Sequence, residues 1–331
     1  MQSNNKEAKV KIVMYHHILN ENSRYKFKGL TTEQFIKQIE YLNKEYTIIK
    51  MEDIFQWYSS PENALPEKAA LLTFDDGFKE HFDTVFPILD EEHLQGTFFV
   101  PTSVLQDPYV LDVHKIHLLL LSADTKRLKQ DIFNLIKQHK KRYSLQSNGE
   151  YVKRFEKGMV KNISPYDTKD VIFVKRILQT ELPPGFREKV VDILFHKHIK
   201  DNEKIISSEL YANTNQLRFM NRKGMYIGPH GHNHLWMGQI SREEQKKEID
   251  LSLEVMKEIG YVTTQWAMSY PNGDSNKQLM NYLTKKGCKI GMVDNSLGIA
   301  DLAKNNPFIL PRIDTRGIME EMGKLIPKTI L

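Results

Sequence analysis

Two short polar motifs in this sequence carry side chains that could bind a metal ion or transfer a proton. The first is Asp75-Asp76-Gly77, which follows the apolar run Ala69–Phe74. Two adjacent carboxylates are costly to ionise together unless a positive group lies between them. A divalent metal ion would meet that need, so this motif predicts a metal site whose other ligands come from elsewhere in the chain.

The second motif contains two histidines that could be those ligands. His230 and His234 are four residues apart, and Gly231 between them lets the backbone turn so that both imidazoles face one side. Two histidines and one aspartate form the usual ligand set of a hydrolytic zinc or similar site with open positions. Each motif alone has a simpler interpretation, which for Asp75-Asp76-Gly77 is a capped turn between a strand and a helix. Both motifs follow predicted strands, however, and that placement favours a metal centre.

The elements around these motifs predict a parallel α/β fold. Residues 71–100 show the pattern of a strand, a loop, a helix and a second strand, with Asp75 just after the first strand. The same alternation resumes at residues 224–228, continues through a helix capped by Ser241, and ends with a strand at residues 308–313. Ligands and catalytic groups gather at the carboxyl ends of such strands. We therefore expect a distorted, incomplete (β/α)7 barrel.

Residues 105–220 have a different character, with long charged helical patterns and few glycines or prolines. They predict a large helical insertion that caps the C-terminal face of a barrel formed by residues 1–104 and 221–331. The basic stretches of the insertion, such as residues 135–143, are expected to be solvated helix faces rather than binding patches. The helical patterns cover residues 112–121, 126–141, 168–180, 184–198 and 203–220.

Composition narrows the class of protein. The 331 residues carry a net charge of +5, with the charges interspersed and without aromatic–basic interleaving, which weighs against nucleic acid binding. The single cysteine, Cys288, excludes an internal disulfide. The apolar run at residues 12–15 is too short for a signal peptide, and no apolar span of about 18 residues occurs. We therefore expect a soluble, cytoplasmic protein.

Four segments resemble motifs of the polysaccharide deacetylases, the NodB-homology enzymes of carbohydrate esterase family 4. Residues 73–77 are similar to their TFDDG motif, and residues 229–234 are similar to their His-x-x-x-His motif, with Gly231 where serine or threonine is usual. Residues 270–273 resemble the third motif of the family in its Tyr-Pro-x-Gly form. Residues 14–18 resemble the N-terminal Tyr-His motif of circularly permuted members. The resemblance covers roughly residues 10–105 and 222–315 and leaves the helical insertion out.

The resemblance implies a role for each matching residue. Asp76, His230 and His234 would bind the metal ion, with zinc expected first and nickel, cobalt or manganese as alternatives. Asp75 would stay off the metal and act as the general base towards a water activated by it. The tetrahedral charge would be stabilised by the metal and by a backbone N–H near Tyr270-Pro271.

Two features depart from the family pattern. The usual acid is a histidine near the C-terminal end, but no histidine follows the second ligand. His16 could supply the proton, as the Tyr-His motif does in permuted members, with His17 as the other candidate; otherwise the enzyme is impaired or inactive. The third motif lacks its arginine, and Arg312 could replace it by orienting Asp75 through a charge-assisted hydrogen bond. Alternatively, Arg312 forms a structural ion pair with Asp314.

These residues predict a metal-dependent de-N-acetylase that releases acetate from an N-acylated amino sugar. The expected cytoplasmic location favours a nucleotide- or lipid-linked sugar in surface polysaccharide or lipopolysaccharide synthesis. A deformylase or O-deacetylase on the same scaffold is an alternative, because an ester leaves without strong acid help. A catalytically silent sugar-binding protein is another, although both aspartates and both histidines are present. No oligomeric state follows from the sequence.

Other histidines and tryptophans have simpler interpretations. His81 is expected on a helix surface, and His232 in solvent or behind the ligands. Trp236 and Trp266 flank the expected opening of the barrel, where they could stack on a sugar ring. Packing in the core explains the two tryptophans equally well.

Overall fold

The computed structural model describes residues 8–19, 21–158, 168–260, 264–294 and 298–325. Contacts between residues divide the chain into two compact units. The first unit runs through Ser23, from Lys28 to Pro108 and from Ser207 onwards, and the second contains Arg24 to Phe27 and Tyr109 to Ile206. The first unit therefore holds every residue that the sequence analysis places in the site.

Seven strands form the main sheet of the first unit. They are β1 (Lys9–Tyr15), β2 (Ala69–Phe74), β3 (Gly96–Val100), β4 (Tyr226–Pro229), β5 (Trp266–Ser269), β6 (Cys288–Asp294) and β7 (Leu310–Asp314). Their spatial order is β4-β3-β2-β1-β7-β6-β5, and each neighbouring pair is parallel. All six residues of β2 are buried, which is typical of a parallel strand covered on both faces.

The sheet curls until its first and last strands nearly meet. The N–H of Ala267 on β5 donates to the hydroxyl of Tyr226 on β4 at 2.8 Å. Gly228 on β4 lies so close to β5 that a Cβ atom there would be 2.8 Å from the carbonyl oxygen of Ala267. Within the described residues, no strand pairing joins β4 to β5. The predicted incomplete barrel of seven strands with surrounding helices is therefore confirmed.

An aromatic stack crosses three neighbouring strands just below the ends that carry the motifs. Tyr15, Phe74 and Phe98 are register partners on β1, β2 and β3. Their ring centroids are 5.0 and 4.8 Å apart, and all three side chains are almost fully buried. Aromatic cross-strand pairs of this kind stabilise a sheet and fix its register. The stack therefore places His16 and Asp75, the next residues on β1 and β2, at the same level of the barrel.

Short pairings hold the segments that leave the strands. Ile299–Asp301 lies antiparallel to β1, and Thr47–Ile48 lies parallel to β2. Ile18–Leu19 pairs with Leu30–Thr31, directly after the two N-terminal histidines. Gly29 allows this approach, because a Cβ atom there would lie 2.6 Å from Cβ of His17.

Helices connect the strands of the first unit, and their starts show the predicted capping chemistry. The Ser241 hydroxyl accepts the N–H of Glu244 at 3.3 Å, and the Glu244 carboxylate accepts the N–H of Ser241 at 2.9 Å. This reciprocal pair is a capping box, which satisfies backbone donors at a helix start. The helices are Thr32–Glu45, Met51–Ser59, Phe86–Glu91, Thr214–Arg222, Arg242–Glu258, Lys277–Lys285 and Thr315–Leu325.

The second unit is built from helices within its described residues. Apolar side chains such as Leu118, Ile132 and Phe186 are fully buried in its core. The single helix predicted at residues 203–220 is wrong, because Asn213 forms a capping box with the third residue of a new helix. The helices from this part of the chain are Asp112–Ser122, Thr125–His139, Asn148–Gly158, Lys169–Arg176, Pro184–His198 and Glu203–Leu210.

Gly77 lies in the loop after β2, where the backbone conformation and the packing both favour glycine. Its φ is +64°, and a Cβ atom there would lie 2.7 Å from Cγ1 of Val100, a fully buried side chain on β3. We predict that Gly77→Ala lowers the free energy of unfolding by about 2–5 kcal/mol. About 1–2 kcal/mol comes from the left-handed backbone and about 1–3 kcal/mol from overpacking. Urea unfolding measures the loss.

Gly224→Ala is the matched control for this prediction. Gly224 also has a positive φ, +89°, but no described atom lies within 4 Å of a Cβ placed there. Its substitution should cost only about 1–2 kcal/mol. Equal losses in the two variants would contradict the predicted clash with Val100.

Candidate metal centre

The carboxyl ends of four strands place the predicted site residues at one edge of the barrel. Asp75 and Asp76 follow β2, and His230 follows β4. His16 follows β1, and Tyr270 follows β5. Parallel barrels hold their catalytic groups at this edge.

Asp76, His230 and His234 form a compact group of potential metal ligands. Nε2 of His234 lies 3.3 Å, and Nε2 of His230 lies 3.6 Å, from the same oxygen, Oδ1 of Asp76. The centroids of the two imidazole rings are 4.9 Å apart, and the ring planes cross at 73°. All three side chains are at most 9% exposed, so their donor atoms are shielded from bulk water.

The ring of His230 is fixed in the tautomer that a metal ligand needs. Its Nδ1 lies 2.8 Å from the carbonyl oxygen of Ser269, which can only accept, so Nδ1 carries the proton and Nε2 keeps its lone pair. Burial lowers the pKa of His230 to about 4, despite the opposing charges of Asp75 and Asp76. The ring is therefore neutral near neutral pH, as metal binding requires.

The donor set fits a divalent transition metal. Zinc binds imidazole nitrogen and carboxylate oxygen at about 2.0–2.2 Å, so donors of a tetrahedral site lie roughly 3.4 Å apart. The separations of 3.3 and 3.6 Å from Oδ1 of Asp76 match that spacing. Three protein donors leave at least one position open, which is the pattern of catalytic rather than structural sites.

Several site residues have backbone conformations that are rare outside glycine. Asp76 and His234 have φ angles of +75° and +56°, and each lies near a glycine that also has a positive φ, Gly77 and Gly231. Such strain persists only where the surrounding structure enforces it, and it is concentrated at functional sites. Gly231, with a φ of +71°, replaces the family's usual serine or threonine at a position where this backbone favours glycine.

Hydrogen bonds hold the loop between the two candidate histidine ligands from both sides. The buried carboxylate of Glu248 accepts the N–H groups of His232 and Asn233 at 3.0 and 2.8 Å. On the other side, the N–H of Thr102 donates to the carbonyl of Gly231 at 3.2 Å. The Thr102 hydroxyl lies 2.9 Å from Nδ1 of His232. His232 is therefore buried behind the two candidate ligands rather than exposed to solvent.

Arg312 binds Asp75 through a bidentate ion pair. Nη1 donates to Oδ1 at 2.9 Å, and Nη2 donates to Oδ2 at 2.5 Å. The Ser269 hydroxyl also donates to Oδ2 at 3.0 Å. Asp75 and Arg312 are 2% and 1% exposed, so the pair lies inside the barrel. Asp314, the alternative partner from the sequence, is bonded to Arg316 instead.

Arg312 keeps Asp75 ionised in spite of its burial. Burial opposes ionisation, but the charge and hydrogen bonds of Arg312, with smaller contributions from His230 and His16, outweigh it and lower the pKa of Asp75 to about 2. Oδ2 of Asp75 lies 4.0 Å from Nε2 of His230. An ionised carboxylate in a fixed orientation therefore lies beside the donor trio without joining it.

Tyr270 and Pro271 lie at the end of β5 beside the ligand loop. The N–H of Tyr270 donates to the carbonyl of Met292 at 3.1 Å, and Pro271 has no N–H. The donor expected near this segment is therefore not the N–H of either residue. Arg312 lies behind Asp75 and contacts that carboxylate rather than the open side of the site.

The two N-terminal histidines have opposite environments. His16 is exposed and is one of the groups that lower the pKa of Asp75. His17 is buried, its ring stacks on Phe78 with centroids 3.8 Å apart, and its Nδ1 lies 2.9 Å from Oε1 of Glu80. Of the two acid candidates, His16 therefore has the more accessible ring.

His81 contradicts the prediction of a helix surface position. It is 1% exposed, and its Nε2 lies 2.8 Å from the carbonyl oxygen of His16. The reason is the wide π-turn His81–Val85, which precedes the helix Phe86–Glu91 and changes the face that each side chain takes.

The two tryptophans differ in exposure. Trp266 is fully buried, and its Nε1 donates to the carbonyl of Lys286 at 2.9 Å, so it packs in the core. Trp236 is partly exposed, two residues after His234. Only Trp236 could therefore present its ring to a sugar.

A second group of possible ligands occurs in the helical unit. It consists of Asp192, His196 and Glu203. The ammonium of Lys115 lies 3.0 Å from Asp192 and 2.9 Å from Glu203. This cation already forms an ion pair with each carboxylate, so the group is a weaker metal candidate than the trio in the barrel.

Comparison with solved structures places the same fold in deacetylases. The chain is similar to the Streptococcus pyogenes deacetylase PplD, with a TM-score of 0.56 and 18% identity over 97% of this chain and 100% of that chain. The de-N-acetylase from Aggregatibacter actinomycetemcomitans gives a TM-score of 0.55 at 14% identity, covering 92% and 94% of the two chains. IcaB from Ammonifex degensii gives a TM-score of 0.52 at 13% identity, covering 92% of this chain and 91% of that chain. At these identities the likeness establishes the fold.

Two further findings concern curated proteins and membrane-spanning helices. Functionally curated proteins give no significant match. Among the helices in the described ranges, none combines the length and the apolar character needed to cross a membrane.

The sequence profile of the polysaccharide deacetylase family matches residues 62–154 and 180–291, which is more than half of the chain. The match includes both aspartates and both histidines of the motifs. It also includes much of residues 105–220, so the prediction that the resemblance leaves out the helical insertion was wrong. The profile match, together with the barrel, assigns this chain to the polysaccharide deacetylase family, whose members hydrolyse acetamide C–N bonds.

Proposed function

We propose that this chain removes the acetyl group from an N-acetylated amino sugar of a polysaccharide, using a metal ion bound by Asp76, His230 and His234. The observation that carries the proposal is an ionised Asp75, held by Arg312, beside that donor trio. The family match supports amide hydrolysis. The structure of PplD, which shares the fold, contains acetate, the product that such a reaction releases.

The trio would hold the metal through Nε2 of each histidine and Oδ1 of Asp76. When bound, the metal would supply Lewis-acid activation of a water molecule and of the acyl oxygen. Zinc is the first expectation for this donor set, with nickel, cobalt or manganese as alternatives. The carbonyl of Ser269 keeps His230 in the ligating tautomer, and Glu248 keeps the loop between the histidines in place.

Asp75 would accept the proton of the attacking water. Its carboxylate is ionised, and the two bonds from Arg312 fix its plane. The low pKa of Asp75 makes it a weak base, so its contribution depends on position more than on base strength.

The leaving nitrogen of an amide also needs a proton, because an amide anion leaves very poorly. His16 would donate this proton from the end of β1, where its ring is exposed and close enough to Asp75 for their charges to interact. His17 is a poorer candidate because its ring is buried against Phe78 and bonded to Glu80. A backbone N–H near Tyr270-Pro271 would complete the stabilisation of the tetrahedral charge.

The proposal also covers the organisation of the chain and its substrate. We retain a deacetylase barrel at residues 1–104 and 221–331 and a helical insertion at residues 105–220. The compact units support an insertion of this kind, but they place residues 207–220 with the barrel and residues 24–27 with the helices. A nucleotide or lipid linkage of the sugar, and a cytoplasmic location, stay predictions from the sequence. An O-deacetylase or deformylase would depend less on His16, and a silent sugar-binding protein would need neither His16 nor Asp75.

Asp75→Asn separates the base from the metal ligands. We predict that acetate release from an N-acetylglucosamine oligomer falls by about 10²–10⁴-fold while metal content stays at the wild-type level. Asparagine keeps an oxygen that Arg312 can bind, but it cannot take the proton. Acetate assay and metal analysis of the same preparations provide the measurement.

His230→Ala is the companion variant, and it should lose both metal and activity. Full activity in Asp75→Asn would show that the base is another group. Retention of metal with wild-type affinity in His230→Ala would contradict the proposed ligand set.

His16→Ala tests the acid. We predict that amide hydrolysis falls by about 10²–10⁴-fold, whereas hydrolysis of 4-nitrophenyl acetate changes little, because nitrophenolate leaves without a proton. His93→Ala, which alters an exposed histidine, is the control and should affect neither substrate. A wild-type amide rate in His16→Ala would contradict the acid role and favour an ester substrate.

Glu248→Gln tests the support of the ligand loop. Because the variant loses a buried charge that accepts two backbone N–H groups, we predict metal binding weaker by about 10–100-fold in a chelator competition. Glu254→Gln, on the exposed face of the same helix, should bind metal as the wild type does. Unchanged affinity in Glu248→Gln would exclude this positioning role.

A further inference from the structure

The loop that carries His16 is held through its backbone. Three consecutive carbonyl groups, at residues 15–17, each accept a hydrogen bond. The donors are the N–H of Asp75 at 3.0 Å, Nε2 of His81 at 2.8 Å and the N–H of Leu30 at 3.1 Å. The ring of His16 itself is exposed, so its position depends on these backbone anchors.

Glu80 anchors the other side of the same loop. Its Oε1 lies 2.9 Å from Nδ1 of His17 and accepts the N–H of Ile18 at 2.8 Å. Burial opposes the ionisation of Glu80, but its hydrogen bond and charge interaction with His17 outweigh burial and lower the pKa of Glu80. A charged acceptor makes stronger hydrogen bonds than a neutral one. The stack of His17 on Phe78 adds a packing contact to this anchor.

His81 is a buried donor with a fixed ring. Because the His16 carbonyl can only accept, Nε2 of His81 must carry the proton. The ring is 1% exposed and lies edge-on to Phe74 and Phe78, with centroids 5.6 Å apart in both cases. Its position is therefore tied to β2 and to the segment that follows β2.

We propose that Glu80 and His81 are positioning residues for His16. One continuous segment, residues 75–81, would then supply the general base, one metal ligand and two anchors of the loop that carries the acid. This inference rests on the proposed role of His16. Its physical reason is that a proton donor must lie within hydrogen-bond reach of the leaving nitrogen, and a misplacement of about 1 Å can cost about 100-fold in rate.

The test compares two substrates in the metal-loaded enzyme. Glu80→Ala removes both acceptor contacts, and His81→Phe removes the donor while keeping an aromatic ring. Each variant is assayed with an N-acetylglucosamine oligomer and with 4-nitrophenyl acetate. We expect kcat for the amide to fall at least about tenfold and kcat for the ester to change less than about twofold, as for His16→Ala. In the His16→Ala background, adding Glu80→Ala should cause no further loss, because Glu80 acts through His16.

Matched variants control for general damage. Lys79→Ala alters the neighbouring residue, whose side chain bonds the Ser208 carbonyl instead of this loop, and it should leave both rates unchanged. His81→Gln keeps a donor at the end of the side chain and should recover part of the amide rate lost in His81→Phe. If Glu80→Ala fails to retain metal, Glu80→Gln, which keeps the acceptor oxygen without its charge, decides in its place by the same ratio of amide to ester rates.

The outcomes separate this inference from the proposed function. Equal losses on both substrates, no loss on the amide, or a further loss in the His16→Ala background would overturn the positioning role of Glu80 and His81. If His16→Ala itself spares amide hydrolysis, the acid assignment fails and this inference fails with it. If His16→Ala is selective for the amide but Glu80→Ala and His81→Phe are not, the proposed function stands and only the inference is overturned.

Discussion

The buried ion pair between Asp75 and Arg312 is the interaction on which the rest of the site depends. A carboxylate that is 2% exposed would be driven to its neutral form without a countercharge. The two adjacent aspartates have different partners. A φ of +75° at Asp76 turns its side chain away from that of Asp75. Asp75 then faces an arginine on β7, while Asp76 faces two histidines that follow β4.

This ion pair also links three strands of the barrel beneath the site. Arg312 on β7 and Asp75 after β2 are not on neighbouring strands, since β1 lies between β2 and β7. Arg312 also donates to the Thr73 hydroxyl at 3.2 Å, and that hydroxyl donates to the carbonyl of Val13 on β1 at 2.7 Å. A bonded chain therefore crosses three strands beneath the site. Breaking a buried ion pair costs about 3–5 kcal/mol, so the groups that hold Asp75 also stabilise the fold.

Local signals in the sequence sufficed for the strand–helix alternation and for the barrel, because apolar runs and capping residues act over a few positions. They also indicated which motifs lie at the same edge of the sheet, since parallel strands end at one edge. Side chains whose role depends on distant partners could not be found in this way. Glu248 lies beside an apolar helical stripe and Ser269 is the last residue of a strand, and neither residue type by itself indicates a support of the site. His81 was misplaced because a π-turn alters helical periodicity without a clear sequence signal.

The position of the proposed acid, His16, follows from the geometry of a nearly closed sheet rather than from the order of motifs along the chain. β1 lies between β2 and β7, so a residue just after β1 lies next to Asp75, which follows β2, and next to the strand that carries Arg312. In a ring of parallel strands, the carboxyl ends of neighbours are adjacent wherever the chain begins. A histidine after the first strand can therefore occupy the place that a histidine near the C-terminus fills in other members of the family. The lack of a histidine after His234 is consequently no argument against amide hydrolysis, provided that the loop after β1 is held as firmly as a strand end.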